Sequence, residues 1–118
     1  MYSVTLDSQK LYELYGGSYD DVRFILSNYL DKHDDIVNSF HEAFISGIEP
    51  LIKCTHRYSS SFTYIGLSQV TEECRNFEQE CKMASDTMEL KPGFERLLNI
   101  IEQGSVLVKQ ELTRVKRA

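Results

Sequence analysis

Three histidines, His33, His41 and His56, hold the imidazoles through which this chain could act as a base or a nucleophile near neutral pH. Their settings differ. His33 and His41 are eight residues apart, beside Asp34, Asp35 and Glu42. That is just over two helical turns, too far for a compact chelate, so no metal site is expected. His56 lies in a segment where Leu51, Thr55, Tyr58, Phe62 and Ile65 recur at helical spacing. At ~100° per residue, His56 falls about 140° from the stripe centre near Tyr58 and Phe62, on the side expected to face solvent. Lys53, Arg57 and Thr63 share that side, with Ile52 one turn before His56 and Ser60 one turn after. The small residues Ser59, Ser60 and Ser61 leave the imidazole unshielded, so that another protein surface can approach it. Three serines in a row are a costly choice inside a helix. An exposed histidine alone is usually an ordinary surface residue, so the function must come from its surroundings.

The elements that position it read as helix throughout. Asp7 predicts the N-cap of a short first helix carrying Leu11 and Leu14, which Gly16-Gly17 ends. Ser18 to Asp21 resembles a capping box and restarts the chain. The next helix is expected over 19–45, with Val22, Ile25, Tyr29, Ile36 and Phe40 on its stripe. A polar gap at 31–35 suggests a kink. Ser46-Gly47 breaks the chain, Pro50 suits a first turn, and the helix bearing His56 is expected to run to Ile65. Gly66 predicts its stop and Ser68 the next N-cap. Leu67, Val70, Cys74, Phe77 and Cys81 then alternate at helical spacing, which makes both cysteines core residues. A loop is expected over 84–91. A last helix opens at Pro92 and carries Phe94, Leu97, Leu98, Ile101, Ser105, Val108, Leu112 and Val115. Short connections make neighbours antiparallel, so residues 1–118 are expected to form a single all-α domain. Its architecture is an up-down four-helix bundle with a short additional N-terminal helix.

Composition excludes several function classes. The formal charge of −5 gives no footprint for nucleic acid. Arg114, Lys116 and Arg117 are read as last-turn cations that complement a helix dipole. No apolar run approaches the ~20 residues of a membrane span, and Met1 to Lys10 has no signal-peptide pattern, so a cytoplasmic location is expected. Cys54, Cys74 and Cys81 are odd in number and lack CxxC spacing, which favours reduced thiols.

The run from Thr55 to Gly66 resembles the signature of histidine-containing phosphotransfer (HPt) domains. Tyr58, Ser61, Ile65 and Gly66 stand at its apolar, small and closing apolar-Gly positions around His56. Leu67 through Glu78, with Val70, Cys74 and Phe77-Glu78, is similar to the family's following helix, and Leu11 to Gly17 and Asp21 to Tyr29 to its opening. The resemblance covers roughly residues 6–83. It implies that His56 carries a phosphoryl group between receiver-domain aspartates of a response regulator or hybrid histidine kinase. It also implies that the receiver brings Mg²⁺, and that the chain needs no cofactor of its own and works as a monomer. Ser59 and Ser60 depart from the pattern, standing where the family has Lys and Gly. Ser59 would offer a hydroxyl in place of the charge, Lys53 or Arg57 would supply charge from another direction, and Ser60 could hydrogen-bond the imidazole. Ser59→Lys is then expected to speed transfer if the missing charge is limiting. Ile52, Thr63, Tyr64 and Phe24 are the expected docking residues, and Glu78 is expected to be structural. Two other readings remain: an HPt-like module that docks a kinase or receiver without carrying phosphate, and a helical adaptor in which His56 is incidental. A self-contained enzyme is least favoured, because no second catalytic group is evident in sequence.

Overall fold

Local capping signals set the first two helix starts. The computed structural model describes residues 4–117; residues 1–3, residue 118 and the Arg117 side chain, on which parts of the terminal expectations rest, lie outside the described residues. Asp7 accepts the Lys10 N–H and opens α1 (Ser8–Leu14). Ser18 does the same for the Asp21 N–H at the start of α2 (Tyr19–Ser46), where Asp20 and Asp21 favour the positive end of the dipole. Then follow α3 (Ile48–Ser59), a 3-10 segment (Ser60–Ile65), α4 (Ser68–Met83), a second 3-10 turn (Thr87–Leu90) and α5 (Lys91–Arg117).

Four sequence expectations change. First, α2 runs without interruption through 31–35. The polar gap holds a buried histidine there: His33 Nδ1 lies 3.1 Å from the Tyr29 hydroxyl and its Nε2 lies 3.0 Å from Glu102 on α5. With both ring nitrogens partnered, the burial costs little. Second, the α-helical part of α3 stops at Ser59. The chain tightens into 3-10 geometry, and Ser59, Phe62 and Ile65 become buried at the three-residue period of that helix. Tyr58, expected on the core stripe, is only half-buried. Third, Leu67 occupies the cap position of α4. Ser68 lies inside the first turn and its buried hydroxyl finds no partner among the described residues. Fourth, the 84–91 loop contains the short 3-10 turn, capped by Asp86 accepting the Glu89 N–H.

Packing closes these helices into a ring. α2 packs on α3 and α5, and α4 packs on α3 and α5, with short connections between successive helices. The result is an all-α, up-down four-helix bundle measuring 49 × 25 × 23 Å. Its core is a single cluster that includes Leu11, Leu26, Phe40, Leu51, Phe62, Val70, Cys74, Ile101 and Val108. Gly104 in α5 lets Leu67 enter the core: a Cβ there would lie 2.9 Å from the Leu67 side chain. α1 packs against α2 and the first 3-10 segment. The buried Glu111 carboxylate of α5 accepts from the Ser8 and Tyr12 hydroxyls and pairs with Arg114, clamping α1 in place. Among the described residues no helix is long and apolar enough to cross a membrane.

Candidate functional site

His56 projects from the polar face of α3 with 78% of its side chain exposed. Its Nδ1 lies 3.3 Å from Oε1 of Glu78 on α4. The Glu78 side chain is only 11% exposed, and its second oxygen lies 3.3 Å from the Lys82 ammonium one turn on. A carboxylate can only accept, so Nδ1 carries the proton of the neutral imidazole and Nε2 keeps its lone pair. Nε2 has no hydrogen-bond partner among the described residues. Glu78, expected to be structural, is thus the acidic group that meets the imidazole. No one-helix pattern could have found it, because the contact depends on how α4 is registered against α3.

The cleft between α3 and α4 has a volume of about 430 Å³ and contains His56, Ser59 and Ser60 on one wall. Arg75, Asn76, Glu78 and Gln79 form the other wall. Arg75, Glu78 and Gln79 share a helix face because they are three and four residues apart. Sequence reading missed Arg75 for the same reason it missed the contact of Glu78.

The expected supporting residues divide. Ser60 is exposed in the cleft, but it makes no hydrogen bond to the imidazole, whose Nδ1 is held by Glu78. Ser59 borders the cleft yet is 6% exposed, and its hydroxyl donates to the His56 carbonyl at 3.0 Å. Its own carbonyl accepts from Thr71 at 2.7 Å, so Ser59 locks the end of α3 and has no hydroxyl to spare. Lys53 and Arg57 lie about 60° and 100° around the helix from His56, both toward α2. They line a cleft against Ser39 and Glu42 of α2, and the Arg57 guanidinium sits 5.4 Å over the Tyr58 ring. Neither charge faces the His56 cleft.

None of the expected docking residues lines that cleft. Ile52 is half-buried against the core. Thr63 is half-buried and donates its hydroxyl to Thr71 at 2.8 Å. Tyr64 is 56% exposed and borders a groove between α2 and the 3-10 segment, while Phe24 is 72% exposed on α2. The other histidines serve packing. His33 is enclosed as described, and His41 meets the Phe94 ring edge-on at 5.7 Å. The three cysteines are free thiols, and burial pushes Cys54 up to about 11, Cys74 to about 12 and Cys81 to about 11. No family model, curated protein or solved structure matches this chain.

Proposed function

We propose that this chain is a histidine phosphotransfer protein of a two-component phosphorelay, with His56 as its phosphoryl carrier. The observation that carries the reading is the exposed imidazole whose Nδ1 is held by the buried Glu78 carboxylate. That pairing supports Nε2 as the nucleophile. The Nε2 lone pair attacks phosphorus of an aspartyl phosphate, the N–P bond forms, the P–O bond breaks and the aspartate carboxylate leaves. The ring keeps its Nδ1 proton, and the positive charge that develops on it is stabilised by Glu78. The return step to a second receiver aspartate is the reverse. Such transfer requires in-line positioning and charge compensation more than covalent machinery from the carrier, which suits an open cleft with one nucleophile. The cleft does not fit a resident Mg²⁺, which needs several free oxygen ligands. Its one carboxylate, Glu78, is already engaged by His56 and Lys82. The metal is therefore assigned to the receiver domain of the partner response regulator or hybrid kinase. The chain acts in this reading as a cytoplasmic monomer.

The test is incubation with a panel of phosphorylated receiver domains, scoring acid-labile, base-stable label. Label on the wild type that is lost in His56→Gln is the expected result. Label that survives His56→Gln overturns the assignment. One observation favours the second reading, a docking module without transfer: no cation of α3 faces the cleft. Receiver binding without label would establish that reading instead.

A further inference from the structure

Resting on the phosphocarrier reading, we propose that Arg75 of α4 binds the phosphoryl group on His56 from across the cleft, replacing a cation on α3. A phosphoryl group on Nε2 carries up to two negative charges, and a carrier needs a positive group beside it. Among the described residues Arg75 is the one cation that lines the cleft. Lys53 and Arg57 line clefts on the α2 side. Lys82 is paired with Glu78 at 3.3 Å. The Arg75 side chain has no hydrogen bond or ion pair among the described residues, so its guanidinium is free to take a ligand.

Its surroundings suit a tetrahedral oxyanion. Asn76 and Gln79 bring amide N–H donors to the same wall, and Ser60 brings a hydroxyl to the opposite one. The acid of the cleft, Glu78, opposes an anion, but the His56 Nδ1 proton and the Lys82 ammonium hold its two oxygens. A guanidinium offers two parallel N–H groups to two phosphoryl oxygens, so the site would select a planar fork over a point charge. The cation that sequence reading sought beside His56 on α3 is thus supplied by α4. The positions three and four after His56 then need only small residues, and they have them in Ser59 and Ser60.

The test uses potassium phosphoramidate, a small donor that needs no cognate receiver. The Nε2 lone pair forms the N–P bond as the donor's P–N bond breaks and ammonia leaves. Labelling is followed by site-resolved mass spectrometry, and the bound phosphoryl group by ³¹P NMR titration. Exposed His41 supplies the unaided imidazole for comparison. The wild type is expected to label faster at His56 than at His41. Arg75→Gln should slow His56 about tenfold, the rate equivalent of one charge-assisted hydrogen bond, and its phosphoryl group should titrate at higher pH because the dianion loses its cation. Arg75→Lys should recover part of both effects. Lys53→Gln, which removes the same net charge on the α2 side, should behave as wild type. Equal effects of Arg75→Gln and Lys53→Gln, or none from Arg75→Gln on a wild type that labels at His56, overturn this inference and leave the carrier reading intact. A wild type that takes no label at His56, from phosphoramidate or from any receiver, overturns both.

Discussion

Glu78 matters because a carboxylate accepts and never donates. Held against Nδ1, it selects one imidazole tautomer, and in the proposed transfer that leaves Nε2 as the attacking nitrogen. Glu78→Gln keeps a carbonyl that can accept from Nδ1–H, while Glu78→Ala removes the acceptor and leaves Lys82 without its partner. The ring ¹⁵N shifts of His56 should therefore report a single Nδ1–H tautomer in wild type and a mixture in Glu78→Ala, with Glu78→Gln in between. Phosphoryl acceptance should fall in the same order; unchanged ¹⁵N shifts in Glu78→Ala would sink the tautomer argument. Ser59 reverses its sequence-based expectation. Because it is buried and bonded to the His56 carbonyl, Ser59→Lys should not speed transfer. It should destabilise the fold by roughly 1–3 kcal/mol, through overpacking and a lost hydrogen bond. A urea midpoint equal to wild type would refute this. The exposure of His56 was legible in sequence because its angle from an apolar stripe is a property of one helix. Glu78 and Arg75 were not, because a contact between two helices depends on their mutual register. No single-helix pattern encodes that register.

The same division runs through the elements. Asp7 and Ser18 were readable as caps because a cap is a local hydrogen bond between a short polar side chain and an N–H three residues on. The end of α3 was not, because Tyr58, Phe62 and Ile65 satisfy helical spacing whether the last turns are α or 3-10. The serine run was the available signal: weak helix formers tolerate the tighter winding. The polar gap in α2 was misread because a buried histidine is polar in sequence yet packs once both ring nitrogens have partners. Gly66 ties these elements together. It holds φ +84°, and a Cβ there would come within 3.3 Å of the Asp7 carbonyl, Leu6 and Leu11. Backbone conformation and close approach both demand glycine, since α1 rests on this turn and the Asp7 N–H donates to the Gly66 carbonyl at 2.9 Å. Gly66→Ala should therefore cost about 1–3 kcal/mol and loosen α1 first. Hydrogen exchange should quicken in α1 more than in α2 or α5. A uniform change across all helices would refute the local account.

At the scale of the molecule, the cleft exists only while α3 and α4 remain packed, and thiols lie within that packing. Cys74 and Cys81 are buried on α4, and Cys54 is half-buried on α3. Burial disfavours the thiolate and raises all three above the ordinary value of 9.0, Cys74 to about 12. The sign of the linkage follows. Below pH 9 the thiols are protonated in folded and unfolded chains alike, and the packing they provide is intact. As pH rises from 9 toward 12, the unfolded chain releases protons that the folded chain retains, so the folded state loses ground. Tyr29 titrates in the same sense, since burial raises it as well. Unfolding free energy from urea titration should thus be flat with respect to these groups up to about pH 9 and fall above it. Cys74→Ala separates the cysteine contribution from that of the tyrosines. It should lower stability near neutral pH by about 1 kcal/mol through the vacated volume and flatten the alkaline decline. An alkaline slope as steep in Cys74→Ala as in wild type would assign the decline to Tyr29 and the other titrating groups. The same burial makes the folded thiols poor nucleophiles at neutral pH. A disulfide reagent should therefore modify Cys74 only as fast as the bundle opens, and its rate becomes a direct measure of how long α3 and α4 keep the His56 cleft assembled.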